Sequence, residues 1–130
     1  KRVLNERGIF VNQNGVPFLQ GDEIALTMRN RQPHFRDVGY FVAAIPTYFG
    51  GLMAFGWASD CLEHRAVSVE VIQERLKAIA GKMRYYTPEV HKASFALPAF
   101  IVDLCGRERG PENRQKLKST TASEAYPSIP

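Results

Sequence analysis

Two polar residues stand just past hydrophobic runs. Gln13 follows Ile9-Phe10-Val11, and Tyr48 follows the run at residues 40–45. In an open α/β sheet, ligands sit beyond the carboxyl ends of the parallel strands. If both runs are parallel strands joined by a helix, Gln13 and Tyr48 emerge side by side at one edge of the sheet. A neutral amide and a phenol in that place could hydrogen-bond a polar amine or alcohol. Simpler readings stay open, with Gln13 capping a turn and Tyr48 packing on its corner.

Other chemistry is scarce. His34, His64 and His91 lie in separate segments, without a Cys or His partner at metal-site spacing, so no metal is expected. His91 reads as ordering a loop over residues 85–95. Gly50-Gly51 lacks the Lys and the following helix of a phosphate loop. No Gly-x-Ser-x-Gly elbow and no Cys–His arrangement is present.

The elements that must position these residues follow from spacing. Val3 and Leu4 among charged residues, then Gly8, predict a helix end with Gly8 at the left-handed position. Residues 9–11 follow as a short buried strand, and Asn12-Gln13-Asn14-Gly15 supplies turn chemistry. A helix capped near Gly21-Asp22 carries Ile24, Met28 and Phe35 on one side. Pro33 ends it near Gln32. A strand over 40–45 then turns through Pro46-Thr47-Tyr48-Phe49-Gly50-Gly51 into a strand over 52–58. So short a connection requires an antiparallel pair.

Ser68 caps a helix whose apolar face is Val69, Ile72, Leu76, Ile79 and Met83, with Met83 as core filler. Tyr85-Tyr86-Thr87-Pro88 breaks it. A last helix starts at Leu97-Pro98, buries Ile101 and Leu104, and stops at Gly106. The pattern is that of an α/β domain over residues 1–106. Residues 107–130 read as a polar, flexible tail.

The composition narrows the classes. The chain has 130 residues, 45% of them hydrophobic, enough for one domain and too many for wholesale disorder. Its net charge is +4, but residues 1–106 carry 12 basic and 10 acidic side chains and the tail 5 and 3. Half of the excess thus sits on the tail. No basic run or RNP-like motif points to nucleic acid. No stretch reaches the roughly 18 apolar residues of a membrane helix. Cys61 and Cys105 are too few for a disulfide scaffold, and read as reduced thiols in a cytoplasmic protein. The first residue is Lys1, on the expected end of a helix, so the chain reads as part of a larger domain.

Three stretches together carry a resemblance. They are Gly8-Ile9-Phe10-Val11-Asn12-Gln13-Asn14-Gly15, Ala43-Ala44-Ile45-Pro46-Thr47-Tyr48-Phe49-Gly50-Gly51, and Tyr85-Tyr86-x-x-x-Val90-His91-x-Ala93-x-Phe95-x-Leu97-Pro98. In order and spacing the chain resembles the C-terminal half of spermidine synthases, the polyamine aminopropyltransferases, from about Lys1 to Leu104. Thr87 and Ser94 depart from residues common there, and neither departure removes a catalytic group.

The resemblance implies the C-terminal half of a Rossmann-like, methyltransferase-type doubly wound sheet, ending in an antiparallel strand pair and C-terminal helices. It implies transfer of an aminopropyl group from decarboxylated S-adenosylmethionine to putrescine, with no tightly bound cofactor. Tyr48 and Gln13 would then line the amine pocket, with Pro46 and Thr47 shaping the corner. The motif at residues 85–98 would pack the C-terminal helices onto the sheet. The catalytic acids and most of the nucleoside site would lie upstream of this segment, and the full-length enzyme would be a homodimer or homotetramer. Other readings are a non-catalytic truncated paralogue that pairs its exposed sheet edge with another chain, and one half of a split enzyme.

Overall fold

The computed structural model describes residues 1–47, 51–79 and 83–106. The elements in chain order are β1 (Ile9–Gln13), α1 (Gly21–Arg31), β2 (Asp37–Ala44), β3 (Leu52–Ser59), α2 (Glu63–Ala66), α3 (Val69–Lys77), α4 (Pro88–Ser94) and α5 (Ala99–Gly106). The sheet order is β1-β3-β2, with β3 antiparallel to both neighbours. β1 and β2 therefore run the same way, joined by the α1 crossover, and β3 returns between them. The expected antiparallel pair is the β2–β3 hairpin.

Alternation along the strands explains the two layers of helices. Tyr40, Ala54 and Val42 face α1 and α5, where Ile24, Ile101 and Leu104 close a core with Met28, Leu97 and Cys105 packed around it. Phe41, Phe55 and Trp57 face the other way. Phe55 stacks on Phe41 at 5.1 Å between centroids. Phe95, just past α4, sits 5.5 Å from Phe41 and 5.6 Å edge-on to Trp57. Helices on both faces of a sheet are what the α/β reading requires.

The chain leaves β1 through a local irregularity. Asn14 N–H donates to the Ala54 carbonyl at 2.8 Å, and Ala54 N–H donates to the Gly15 carbonyl at 2.9 Å. Two residues thus oppose one, as in a bulge. Gly15 has φ 73, a left-handed conformation that glycine adopts at no steric cost. A Cβ there would also strike the Gln20 side chain, whose Oε1 accepts from Val16 N–H at 3.0 Å.

Several expectations are corrected. Residues 1–8 form two turns, Leu4 N–H to Lys1 O and Gly8 N–H to Asn5 O, both 3.0 Å, rather than a helix end. Helices this short depend on packing, and Val3 is 91% exposed. Gly8 is not among the left-handed glycines, which are Gly15 and Gly51 among the described residues. Phe35 lies beyond α1, and β2 starts at Asp37 rather than residue 40. α2 was not foreseen.

α3 has the expected Ser68 cap, Oγ accepting from Val71 N–H at 3.4 Å, but it ends at Lys77. Ala78 and Ile79 bond back to Arg75 and Leu76, the tight closing turn of a helix terminus. Ile79 and Met83 are therefore half-exposed, and Met83 is not core. The expected loop at 85–95 contains α4, with Thr87 Oγ1 accepting from Val90 N–H at 3.1 Å and Pro88 in the first turn. α5 buries Ile101 and Leu104 as expected. The tail reading falls on residues 107–130, outside the described residues.

Candidate functional site

β1 ends on Gln13, an exposed residue. It is in register with Phe55, which is in register with Phe41, so one cross-strand row runs Gln13–Phe55–Phe41. β2 continues three residues further, to Ala44, or about 10 Å at the rise of a strand. Pro46 and Thr47 then form an exposed turn. The carboxyl ends of β1 and β2 lie at the same end of the sheet. They are not adjacent, because β3 stands between them and separates the strands by about 9.5 Å. Tyr48 lies outside the described residues. The structure thus places Gln13, Pro46 and Thr47 at one end of the sheet.

A polar network that sequence reasoning did not find underlies Gln13. Its neighbours Asn12 and Asn14 turn to the α1 face. Arg31, at the end of α1, donates through Nη2 to Asn12 Oδ1 at 2.5 Å and Asn14 Oδ1 at 2.8 Å. Asn14, fully buried, donates to Thr27 Oγ1 at 2.9 Å. Thr27 Oγ1 meets Tyr40 Oη at 2.5 Å, and Tyr40 Oη donates to the Ile24 carbonyl at 2.8 Å. Burial pushes the Tyr40 phenol above its ordinary range, so it stays a neutral donor. The sequence signal was faint: two Asn flanking a strand end, and an Arg at the end of the following helix.

On the opposite face, a cleft of about 270 Å³ lies between the sheet and α4. Val11, Phe41, Trp57, Tyr85, Tyr86 and Phe95 line it. Tyr85 Oη accepts from Ala44 N–H at 3.2 Å and so fastens the cleft to the end of β2. His91 Nδ1 meets Tyr86 Oη at 3.0 Å, with the imidazole 5.6 Å from the Phe95 ring. Lys92 Nζ donates to the carbonyls of Arg65 and Val67 at 3.1 Å each and ties α4 to the α2–α3 connection. The motif at 85–98 thus packs on the sheet through Phe95 and Tyr85. Among the described residues no cluster of His, Cys, Asp and Glu could hold a metal ion. No described helix is long and apolar enough to cross a membrane.

Burial, and secondarily the Lys92 charge, hold the His91 pKa below its ordinary 6.5. The folded protein therefore binds this proton less readily than the unfolded chain. The resulting stability is fully present above the unfolded value and is lost as pH falls through the folded one. His91 is expected to titrate below pH 6.5 in an NMR titration. The drop in melting temperature from pH 7 to pH 5 should be smaller in His91→Gln than in the parent. An equal drop would show that His91 does not contribute it.

The architecture defines a class first: an α/β fold of the Rossmann-like, methyltransferase type, entered through its antiparallel strand pair and C-terminal helices. Its structure matches the crystal structure of spermidine synthase from Thermotoga maritima with a TM-score of 0.68 and 27% identity, covering 79% of this chain and 35% of that one. A spermidine synthase in complex with the transition state analogue AdoDATO matches equally, covering 34% of its chain. Residues 1–68 match the spermine/spermidine synthase domain. The polyamine aminopropyltransferases of Salmonella newport (strain SL254) and Salmonella agona (strain SL483) are 52% identical over 103 residues, 79% of this chain and 36% of theirs. The chain belongs to the spermine/spermidine synthase family. It spans about a third of the length of these curated relatives.

Proposed function

We propose that this chain supplies part of the amine pocket of a polyamine aminopropyltransferase that makes spermidine. In this reading the co-substrates are decarboxylated S-adenosylmethionine and putrescine. The neutral amine nitrogen attacks the methylene beside the sulfonium. The C–N bond forms as the C–S bond breaks, sulfur leaves as the neutral thioether of methylthioadenosine, and the new secondary nitrogen keeps the positive charge as an ammonium. The base that takes a proton from putrescine, and the carboxylates that hold its second charge, lie outside this segment.

This segment orients the nucleophile. The Gln13 side-chain carbonyl and the Tyr48 hydroxyl oxygen accept from the N–H groups of the attacking amine and leave its lone pair free, and Pro46 and Thr47 set the approach to Tyr48. Bringing a nucleophile into line can contribute several kcal/mol to a rate. The observation that carries the reading is the common direction of β1 and β2, which sets Gln13 and the turn leading to Tyr48 at one end of the sheet. The 52% identity to named polyamine aminopropyltransferases supports it. A cytoplasmic enzyme is in keeping with Cys61 and Cys105 as free thiols, and a homodimer or homotetramer completes the proposal.

The test is product analysis. The enzyme carrying this segment should convert the two substrates into spermidine and methylthioadenosine, and residues 1–130 alone should form neither. Spermidine formed by the 130-residue chain above a Tyr48→Phe control would contradict the division of labour proposed here.

A further inference from the structure

We propose that Arg31 is a positioning residue for Gln13, setting the geometry of the amine pocket from the far side of the sheet. The inference rests on the reading of Gln13 as an amine contact. Side chains alternate along β1, so Gln13 points away from the face on which Asn12 and Asn14 meet α1. Both neighbours of Gln13 are held by a single nitrogen of Arg31. Asn12 Nδ2 in turn donates to the Gln13 carbonyl at 3.1 Å and to Asn14 Oδ1, also at 3.1 Å. The backbone of Gln13 is thereby clamped on each side, where the chain leaves the ladder through the two-against-one pairing at Ala54.

The guanidinium is built into the sheet. Asn12, Gly56 and Tyr40 form one cross-strand row, and Arg31 lies across its middle member. A Cβ on Gly56 would stand 1.9 Å from Arg31 Nη1, so glycine here is a seat for the arginine. The Phe10 and Tyr40 rings flank it at 5.6 and 5.7 Å.

Arg31 is only 8% exposed, and its Nη1 has no hydrogen-bond partner. A buried charge is costly, and an apolar side chain of similar size often fills such a place more favourably. Filling space is therefore a poor account of this residue. The two N–H bonds of the planar Nη2 aim at two amide oxygens in fixed directions, which a freely rotating lysine ammonium does not impose and leucine cannot supply. Fixing Asn12 and Asn14 fixes the strand end that presents Gln13. The network reaches α1 and β2 through Thr27 and Tyr40, so strand end, helix and second strand hold one geometry.

The experiment is a double-mutant cycle in the enzyme carrying this segment, with separate KM values for putrescine and for decarboxylated S-adenosylmethionine. Arg31→Leu is expected to raise the putrescine KM about tenfold while the nucleoside KM changes less than about twofold, as for a displaced contact. Arg31→Lys keeps the charge without the planar guanidinium and should give an intermediate loss, which guards against a leucine variant that fails to fold. In a Gln13→Ala background the Arg31 effect on the putrescine KM should vanish, because residues acting as one unit are not additive. An unchanged putrescine KM in Arg31→Leu or Arg31→Lys, with only melting temperature lowered, would overturn the proposal. So would an Arg31 effect that persists in full without Gln13. If Gln13→Ala alone leaves the putrescine KM unchanged, the amine-pocket reading itself falls, a result distinct from the other two.

Discussion

Asp37→Ala is expected to destabilise the protein by about 3–5 kcal/mol, the usual cost of removing one partner of a buried ion pair. Asp37 is 6% exposed at the first residue of β2. Its Oδ2 accepts from Trp57 Nε1 at 3.0 Å and from Arg65 Nε at 2.9 Å. Its Oδ1 accepts from Arg65 Nη2, completing a bidentate fork. Gly39 leaves room for the guanidinium, since a Cβ there would stand 3.0 Å from Arg65 Nη1.

Without the carboxylate, the indole N–H loses its acceptor and α2 loses the tie that Arg65 makes to the sheet. Arg65 keeps a third of its side chain in water, which favours the lower end of the range. Asp37→Asn retains an acceptor and should cost less. Urea denaturation checks both, and a cost below about 1 kcal/mol for the alanine variant would mean that the pair is a surface ornament. The proposed site lies at the other end of β2, so in the enzyme carrying this segment activity in the cold should survive.

The second large effect is on catalysis. Tyr48→Phe, in the enzyme carrying this segment, should lower kcat/KM for putrescine by about 10–100-fold, the worth of one hydrogen bond to a developing charge. Binding of the nucleoside co-substrate should change less than about twofold, since that site lies elsewhere in the proposed reading. Steady-state kinetics with each substrate varied in turn separates the two. Equal losses on both would make Tyr48 a structural residue.

Much of this architecture was legible because local signals agreed with the final packing. Ile24 and Met28 share one face of α1, and Ile101 and Leu104 one face of α5; all four meet over Tyr40 and Ala54. The connection between β2 and β3 is too short for anything but a hairpin. Other features are set by contacts far apart in sequence. Nothing local says that β3 inserts between β1 and β2, which is why Gln13 and the turn at Pro46 share an end of the sheet without sitting on adjacent strands. α4 was concealed by a misreading of Thr87-Pro88 as a breaker, although a threonine cap followed by proline in the first turn is also a start signal. The network joining Arg31 to Asn12 and Asn14 spans 19 and 17 residues. It depends on Gly56, on a third strand, to make room, and no spacing rule brings those positions together.

The central claim is that β1 delivers Gln13 to an amine pocket. The most direct measurement is the pair of KM values, for putrescine and for decarboxylated S-adenosylmethionine, in Gln13→Ala of the enzyme carrying this segment. The putrescine KM should rise about tenfold or more, the loss of one hydrogen bond, with the nucleoside KM within about twofold of the parent. An unchanged putrescine KM in a fully folded variant would contradict it.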